Sequence, residues 1–492
     1  MSPKVLPIIT DIVNCLLQNN ARVYAVGGAV RDFLLQLPIH DLDIEVHGIT
    51  SDNLEKILSI FGLVHYDGKS FGVFRVNSLP VDWSLPRRDS SGRKPVVEVD
   101  PTMTITEALK RRDLTMNAMA VDLSTGELID PFGGYNDLKN KVLATPDPVF
   151  FVQDPLRFYR VMQFIGRFEM RPNSELDAVC KSMDISAISV ERIHAEFDKL
   201  VMLSKRPSLG IYWLKDIGRL QEVLPELAAT IGIEQEPDWH PEGDVFEHSM
   251  QALDAAVVRY DFCENSAFRT ITHHARVHDT STVHPECSPS GECIEGRSLR
   301  KLLCYAALCH DLGKVTTTKI IDGRLRSLGH DAAGVAPTHA LCKRLTGNKK
   351  LIDLVALLVR HHMAPGQFVS QRVDTQKATA KAYKKLAKVL APDLNLYILA
   401  QLAYADKLGR NPARHAPLSG PLPAIDEFIK RAQEYGVLYE PEKPLLTGAD
   451  LMPLGFEGPA LGRALAKVYE YQLEQKSPNK ETLLRYAQRM VK

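Results

Sequence analysis

The stretch AVGGAVRDFLLQLPIHDLDIEV, residues 25–46, joins a glycine pair to two aspartates one residue apart. RVYAVGG predicts a short strand that ends at Gly27 and Gly28, and AVRDFLLQL predicts the helix that follows it. DLDIEV predicts a second strand, on which Asp41 and Asp43 share one face about 6.6 Å apart. This order of strand, glycine turn, helix and strand predicts an α/β fold for the first part of the chain.

Paired carboxylates at this distance repel each other, and a divalent cation keeps both of them ionised. Two Mg²⁺ ions about 4 Å apart activate an attacking oxygen and stabilise a leaving one in phosphoryl transfer. A DxD by itself is more often a surface turn. Backbone N–H groups at the glycine turn can contact an anionic phosphate, however, and they shift the interpretation toward a magnesium site at Asp41 and Asp43.

Composition limits the class of protein. The 492 residues are too many for one core and predict several domains, with 45% hydrophobic and 24% charged residues typical of a soluble protein. No apolar run is long enough to span a bilayer, and the N-terminus does not resemble a signal peptide. The eight cysteines form no CxxC pair, which indicates a reducing compartment, with the cytoplasm as the default location. Because the formal net charge is zero, overall charge does not decide for or against nucleic acid.

The pattern changes along the chain. Strand-like and helical segments alternate over residues 22–131, and helical periodicity dominates from Asp154 onward. The predicted organisation is an α/β head with a mixed sheet (1–150), a mainly helical neck (151–235), an all-α domain (236–415) with a Ser-, Thr-, Gly- and His-rich insertion near 265–297, and a C-terminal helical segment (416–492).

Five stretches of the sequence resemble the motifs of known enzymes. GGAVRD with DLD, RRDLTMNAMAVD, DPFGG, QDPLRFYRVMQFIGRF and SVERIHAEFDKL, in this order, resemble the class II tRNA nucleotidyltransferases (CCA-adding enzymes) and poly(A) polymerases. The resemblance implies that Asp41 and Asp43 are catalytic and hold Mg²⁺. It also implies a set of nucleotide-binding residues: Gly28, Arg31, Arg111, Asp113, Asn117, Asp154, Arg157 and Arg160.

Base selection has a physical basis in this family. Asp154 and Arg157 are three residues apart and would share one face of a helix. The carboxylate accepts a hydrogen bond from the exocyclic amine of cytosine or adenine, and the arginine donates to a ring nitrogen. Guanine or uracil would leave buried polar groups unpaired, at about 1–3 kcal/mol each. One departure is visible, since Gln153 stands where the family pattern usually has Glu.

The helical half offers a second constellation. A histidine, a later His-Asp pair after an apolar helix and a distant aspartate resemble the HD superfamily of metal-dependent phosphohydrolases. The resemblance predicts His248, His310, Asp311 and Asp406 as ligands of a divalent metal, which could be Ni, Mn, Fe, Zn or Mg. His330 and His361 are predicted as ligands of a second metal or as phosphate contacts.

Together, the two constellations resemble CCA-adding enzymes that carry an HD domain. The fold class implied is an α/β nucleotidyltransferase head, a mainly helical neck and an all-α HD domain. The implied activity is template-independent addition of CMP, CMP and AMP from CTP and ATP to the 3′ end of tRNA, with a 2′,3′-cyclic phosphodiesterase or phosphatase activity in the HD domain. The partners are tRNA, ATP and CTP, with no membrane. Monomer and homodimer both remain open.

Other classes of enzyme are compatible with parts of this pattern. A poly(A) polymerase, or an enzyme that adds only the C or the A residues, shares the head motifs. A hydrolase with a vestigial RNA-binding head would retain only the second site. The basic stretch KAYKKLAKVL, residues 381–390, is equally compatible with an RNA contact and with a solvated helix face.

Overall fold

The computed structural model describes residues 5–39, 41–66, 73–76, 79–89, 97–265, 296–370, 380–413, 416–475 and 478–490. These residues divide into two compact units, Met1–Arg192 and Ile193–Lys492. Nearly all of the predicted insertion near 265–297 lies outside the described residues. Within the described ranges, no helix has both the length and the apolar character needed to cross a bilayer.

The first unit contains a seven-stranded mixed sheet with the order β3-β4-β5-β2-β1-β8-β9. Neighbouring strands are antiparallel except for β2 and β5, which are parallel. The strands are β1 (Arg22–Val26), β2 (Leu42–His47), β3 (Val64–Tyr66), β4 (Val73–Val76), β5 (Val81–Ser84), β8 (Ala120–Asp122) and β9 (Leu128–Ile129). The α/β prediction for the head is confirmed, and β1 and β2 coincide with RVYAVGG and DLDIEV, the two stretches predicted as strands, to within a few residues.

In the described part of the first unit, two further strand pairs lie outside this sheet. They are the antiparallel pair β6 (Arg87–Asp89) and β7 (Val97–Val99), and the parallel pair β10 (Val142–Leu143) and β11 (Arg171–Pro172). The helices up to the unit boundary are α1 (Val5–Gln18), α2 (Gly28–Leu34), α3 (Ser51–Ser59), α4 (Ile105–Lys110), α5 (Gly134–Asn140), α6 (Pro148–Phe151), α7 (Leu156–Phe168), α8 (Ser174–Ser182) and α9 (Val190–Leu203), the last of which crosses the boundary.

The sheet is covered on both faces. One core cluster includes Ile12 of α1, Leu54 of α3 and Ile44 of β2. A second cluster on β1 and β8 includes Tyr24 and Ala120. Because apolar side chains fill both faces of the central strands, polar groups concentrate where the strands begin and end.

The second unit is rich in helices. After α9, the helices are α10 (Ser208–Asp216), α11 (Leu220–Val223), α12 (Pro225–Ala228), α13 (Val245–Asn265), α14 (Gly296–Cys309), α15 (Lys314–Thr317), α16 (His330–Ala333), α17 (Val335–Leu345), α18 (Lys349–His361), α19 (Ala364–Val369), α20 (Ala380–Leu390), α21 (Leu396–Leu408), α22 (Pro423–Glu434), α23 (Gly448–Leu451), α24 (Gly458–Glu474) and α25 (Lys480–Gln488). Helix α13 packs against both α14 and α21. His248 lies in α13, Asp406 lies in α21, and His310 and Asp311 directly follow α14.

One element departs from the all-α prediction for this region. Residues 318–327 form an antiparallel hairpin of β12 (Thr318–Ile321) and β13 (Arg324–Ser327). Its turn residues Asp322 and Gly323 both have positive φ, 51° and 73°. Asp-Gly is a common sequence for such a tight hairpin turn, so this dipeptide was the indication of the hairpin in the sequence.

The basic stretch KAYKKLAKVL lies in α20, and its lysines are paired. Lys385 and Lys388 both reach Glu470 of α24, at 3.2 and 2.7 Å, while Lys381 pairs with Glu474 of the same helix. Lys384 pairs with Glu442. The lysines therefore join α20 to its carboxylate neighbours, which favours a structural role over RNA contact.

Candidate active sites

The predicted magnesium ligands lie at the start of β2. Asp43 is the second residue of that strand and pairs in register with Val26 of β1 and with Asp82 of β5. Asp41 directly precedes the strand and is exposed, whereas Asp43 is half-buried. In the described part of the chain, neither carboxylate has a side-chain hydrogen bond or an ion pair. Both therefore offer oxygen atoms for a cation.

The electrostatics of Asp43 fit such a role. Burial raises the pKa of Asp43; the charge of Arg112 opposes the rise, and the carboxylates of Asp82, Asp41 and Glu45 add to it. A carboxyl group surrounded by like charges is stabilised in its ionised form by a cation. Carboxylate oxygens are also the ligands that Mg²⁺ prefers, so the residues present fit the predicted ion.

Asp82 differs from its neighbour. Its two oxygens accept hydrogen bonds from Nε and Nη2 of Arg75, the latter at 2.8 Å. Arg75 therefore neutralises Asp82 on the adjacent strand. The pairing makes Asp82 a weaker candidate for a metal ligand than Asp41 or Asp43.

The glycine turn before α2 brings backbone close to this group. Gly27 has φ 70°, a conformation that favours glycine. A Cβ atom at this position would collide with the guanidinium of Arg112 and would lie 3.7 Å from Oδ2 of Asp43. Gly28 then begins α2. Gly27 thus lets the chain pass directly beside the Asp43 carboxylate.

Four of the predicted nucleotide-binding residues form one hydrogen-bonded chain. Arg31 donates from Nη1 to Oδ1 of Asn117 at 2.6 Å, and Asn117 donates to Oδ1 of Asp113 at 3.0 Å. Arg160 of α7 donates to Oδ2 of Asp113 at 2.6 Å. Arg31, Asn117 and Asp113 are all buried. The chain therefore links α2, the RRDLTMN segment and α7.

Asp113 is the ionised centre of this chain. Burial opposes its ionisation, but the charge of Arg160 and hydrogen bonds from Asn117 and the Leu114 N–H outweigh burial and lower the pKa of Asp113 to about 2. Asp113 is thus a permanent anion at neutral pH, held between cationic and amide donors.

Beside the carboxylates lies a cleft of about 320 Å³. Four arginines line it, and Glu45 is the one carboxylate among its lining residues; the arginines are Arg87, Arg111, Arg112 and Arg157. Glu45 lies 3.7 Å from Arg112 and is itself held by His47 at 2.8 Å. A cleft with four guanidinium groups suits an anion with several phosphates.

The structure corrects one detail of the predicted base-selecting pair. Helix α7 begins at Leu156, so Asp154 lies in the turn before the helix and not on its face. Its Oδ1 accepts from the Leu156 N–H at 3.2 Å, because a short acidic side chain satisfies the free donors of a helix start. Both carboxylate oxygens also lie 3.1 Å from Nη2 of Arg192.

Arg157 is held by backbone. Its Nη1 donates to the carbonyl of Phe150 and its Nη2 to the carbonyl of Arg111, both at 2.9 Å. The ring of Phe150 lies 4.7 Å from the guanidinium carbon. These contacts fix the plane of the guanidinium and keep Arg157 at the rim of the arginine-lined cleft.

The second unit gathers the residues predicted to bind metal around Asp311. Oδ2 of Asp311 lies 3.6 Å from Nε2 of His248 and 3.4 Å from Nε2 of His310. Asp406 of α21 lies on the same side, with its Oδ1 3.3 Å from Nε2 of His248. All four residues are buried. The four predicted ligands therefore converge.

The other oxygen of Asp311 faces a second histidine pair. Oδ1 lies 3.3 Å from Nε2 of His330 and 3.9 Å from Nε2 of His362. The Nε2 atoms of these two histidines are 3.1 Å apart. Asp311 thus stands between two groups of potential ligands, one on each carboxylate oxygen.

The prediction of His361 is wrong by one position, because the cluster contains His362. Successive residues of a helix point about 100° apart. His362 follows Val355 and Val359 on the buried face of α18, while His361 is half-exposed beside Arg360 and Asp331. The spacing of Val355 and Val359 places residue 362, and not residue 361, on the buried face, so the sequence itself indicated His362.

The four buried histidines next to Asp311 contact a backbone carbonyl or a carboxylate through Nδ1. The Nδ1 atoms of His310, His330 and His362 each lie 2.7 Å from a backbone carbonyl, those of Ala307, Ser327 and Val359. Nδ1 of His248 lies 2.7 Å from Glu242. Such contacts fix the ring and direct Nε2 toward a metal. Imidazole and carboxylate groups suit divalent transition metals, so the donor set fits the predicted ion.

Glu242 was not predicted, although it is fully buried. Its Oε1 contacts both His240, at 2.8 Å, and His248, and its Oε2 has no hydrogen-bond partner among the described residues. Burial opposes its ionisation, but the two histidines lower the pKa of Glu242 to about 2. No spacing rule identifies this residue, because the fold alone brings it beneath His248.

Cations balance the aspartates. Burial would raise the pKa of Asp311, but His310 and Lys314, whose Nζ lies 2.7 Å away, hold it well below its usual range. Arg410 acts likewise on Asp406 at 2.9 Å. Gly313 of the HDLGK sequence permits this packing, since a Cβ there would collide with the His330 carbonyl.

Comparisons with known proteins give consistent results. A model of the poly(A) polymerase head domain matches residues 23–144, and a model of the probable RNA and SrmB-binding site of polymerase A matches residues 169–231. The multifunctional CCA protein of Stenotrophomonas maltophilia (strain K279a) is 30% identical over 457 residues, covering 91% of this chain and 97% of that protein. That of Pasteurella multocida (strain Pm70) is 32% identical, covering 72% and 77%.

Solved structures show the same fold. The CCA-adding enzyme of Bacillus stearothermophilus in complex with CTP has a TM-score of 0.63 and 19% identity, covering 100% of this chain and 98% of that one. The Thermotoga maritima CCA-adding enzyme in complex with tRNA has a TM-score of 0.56 and 20% identity, covering 100% and 97%.

Proposed function

The chain belongs to the multifunctional CCA protein family of tRNA nucleotidyltransferases, and from this premise we propose how its two sites divide the work. The first unit adds CMP, CMP and AMP, from CTP and ATP, to the 3′ end of tRNA. The second unit hydrolyses phosphate esters. Since the substrate is tRNA, we expect the protein to act in the cytoplasm. The observation that carries the head proposal is the position of Asp41 and Asp43, which form no ion pair with any described residue, beside a cleft lined by four arginines.

In each addition, the 3′-hydroxyl of the tRNA forms a bond to the α-phosphorus of the nucleotide. The bond from that phosphorus to the bridging oxygen breaks, and pyrophosphate leaves. Asp41 and Asp43 would hold Mg²⁺, and the arginines would bind the triphosphate. Divalent ions at this site and in the second unit would neutralise phosphate charge and lower the pKa of the attacking hydroxyl or water.

For base selection, we propose Asp154 and Arg157. The Asp154 carboxylate would exchange Arg192 for the exocyclic amine of cytosine or adenine. Arg157, whose plane is set by two carbonyls, would donate to a ring nitrogen. Arg160, Asp113, Asn117 and Arg31 would hold α7 against the head. Asp154→Ala is expected to relax discrimination against GTP and UTP by about 10-fold or more.

For the second unit, we propose a centre of two divalent ions shared by Asp311. His248, His310 and Asp406 would hold one ion, and His330 and His362 the other. The support is the placement of a separate histidine pair on each oxygen of Asp311. Lys314 would balance the charge of a bound phosphate. The substrates proposed are 2′,3′-cyclic phosphates and phosphomonoesters.

The head proposal is tested with tRNA transcripts that lack A, CA or CCA. The wild type should restore CCA on each with CTP and ATP, and Asp43→Asn should lower kcat at least about 1,000-fold. Asp82→Asn is the matched control, since Asp82 is paired with Arg75, and it should lose less than about 10-fold. Extension of any RNA with ATP alone would instead identify a poly(A) polymerase, and arrest after one nucleotide type a partial adding enzyme.

The proposal for the second unit is tested on the same preparations. His310→Ala should abolish hydrolysis of adenosine 2′,3′-cyclic phosphate and leave CCA addition intact, while Asp43→Asn should do the reverse. His339→Ala, a half-exposed histidine outside the cluster, is the control. Hydrolysis that survives His310→Ala would contradict the proposed centre.

A further inference from the structure

The hairpin of β12 and β13 interrupts the sequence between two predicted metal ligands, Asp311 and His330. It presents an unusual arrangement of charge. Lys319 lies directly opposite Arg326, and Ile321 lies opposite Arg324, so the three cations share one face. All three are exposed.

Among the residues that the structure describes, these cations have no partner of opposite charge. Within the described residues, none of the three forms a side-chain hydrogen bond or an ion pair. Asp322, in the turn, is the one carboxylate within the hairpin sequence, and Glu236 alongside accepts a bond from the Leu325 N–H at 3.1 Å. Like charges directly opposite each other destabilise a strand pair. Such a face is therefore suited to an anion that contacts several cations at once.

The base of the hairpin is fixed to the proposed metal centre. The Thr318 hydroxyl donates to the Lys314 carbonyl at 2.7 Å, and lies 2.8 Å from the Ser327 hydroxyl. The Ser327 carbonyl in turn lies 2.7 Å from Nδ1 of His330. The cationic face consequently has a defined position relative to the ligand His330.

We propose that this cationic face binds the phosphate backbone of an RNA strand and delivers its 3′ end to the centre at Asp311. The inference rests on the proposed function of that centre and names its substrate class as RNA ends rather than free nucleotides. RNA is favoured because a repeating anion can contact Lys319, Arg324 and Arg326 together, whereas a free nucleotide at the centre needs none of them.

The test uses the full chain with Lys319→Gln, Arg324→Gln and Arg326→Gln combined. On an RNA oligonucleotide ending in a 2′,3′-cyclic phosphate, kcat/KM should fall about 10-fold or more. The slope of log(kcat/KM) against log[salt] should become less negative by about 2, for three lost contacts to a single strand. On adenosine 2′,3′-cyclic phosphate, kcat/KM should stay within about twofold. The matched control combines Lys343→Gln, Lys349→Gln and Lys430→Gln, which replace three exposed cations on helices away from the hairpin.

Two results would overturn the proposal: an unchanged kcat/KM on RNA, or equal losses on RNA and on the nucleotide, which would make the hairpin only a structural support. A wild type that hydrolyses neither substrate would refute the function of the centre but not the RNA surface. Crosslinking decides that case. RNA with 4-thiouridine near its 3′ end should crosslink to a peptide from residues 318–328 in the wild type and not in the triple variant; absence of the crosslink in the wild type would overturn the proposal.

Discussion

His361 and His362 are adjacent in sequence but differ in burial and in their contacts. His362 is buried, and its Nδ1 lies 2.7 Å from the Val359 carbonyl, so Nε2 faces His330. Burial, with the charges of His310 and His330, lowers the pKa of His362 to about 3, which keeps the ring neutral as ligation requires.

We therefore predict unequal effects of alanine at these two positions. His362→Ala should lower hydrolysis of adenosine 2′,3′-cyclic phosphate by about 100-fold and weaken Mn²⁺ binding, because it removes a ligand. His361→Ala should change neither by more than about twofold. Isothermal titration with Mn²⁺ and a hydrolysis assay measure both. Equal losses in the two variants would contradict the helical phase assigned here.

Asp113 gives a prediction about pH. Its pKa is about 2 in the folded protein, below the ordinary 3.8, so its contribution to stability is complete above pH 4 and is lost as the pH falls toward 2. The shift corresponds to about 2 kcal/mol. Asp113→Asn should lower the free energy of unfolding by roughly that amount at pH 7, and urea titrations at pH 7, 4 and 3 should show the gap narrowing only below pH 4. A gap that stays constant down to pH 3 would contradict this assignment.

At the scale of elements, α20 illustrates why a run of lysines does not define an RNA surface. Its lysines are matched by carboxylates on neighbouring segments, and Lys388 lowers the pKa of Glu470 by a direct hydrogen bond. The sequence shows the cations but not their partners, since Glu470, for example, lies 82 residues beyond Lys388.

We predict that Lys381→Ala with Lys385→Ala leaves tRNA binding unchanged. Exposed pairs of this kind contribute little to stability because solvent screens them, so the urea midpoint of unfolding should shift only slightly. Filter binding at several salt concentrations measures the first quantity and urea unfolding the second. A reduced salt dependence of tRNA binding would instead show that these lysines contact phosphates.

The pattern of polar and apolar residues predicts some strands of this protein and misses others. The strands β1 and β2 follow from short runs of apolar and β-branched residues, which include the buried Val23 and Ile44. The hairpin β12–β13 was missed because its exposed residues are mostly polar and helical patterns surround it. Only the Asp-Gly turn indicated it.

At the scale of the whole molecule, the division into two compact units leads us to expect that a metal ion bound in one unit stabilises that unit separately. Mn²⁺ at about 100 times its Kd should stabilise the second unit by about 2.7 kcal/mol, raising its thermal midpoint by about 5 °C. Differential scanning calorimetry of the full chain measures the shift. Asp311→Asn should abolish it, whereas Asp43→Asn and the exposed control Asp353→Asn should preserve it. Persistence of the full shift in Asp311→Asn would place the ion elsewhere.

The sequence by itself determined the α/β head, the helix-rich remainder and the residue types of both sites. Local periodicity identifies strands and helices, and the order of short stretches such as DLD and HD identifies the family. Only the tertiary structure decided that Arg75 neutralises Asp82, that Arg192 pairs with Asp154, and that Glu242 lies beneath His248. The physical reason is that these contacts join distant segments, and the partner of a charge depends on how helices and strands pack, which no local pattern records.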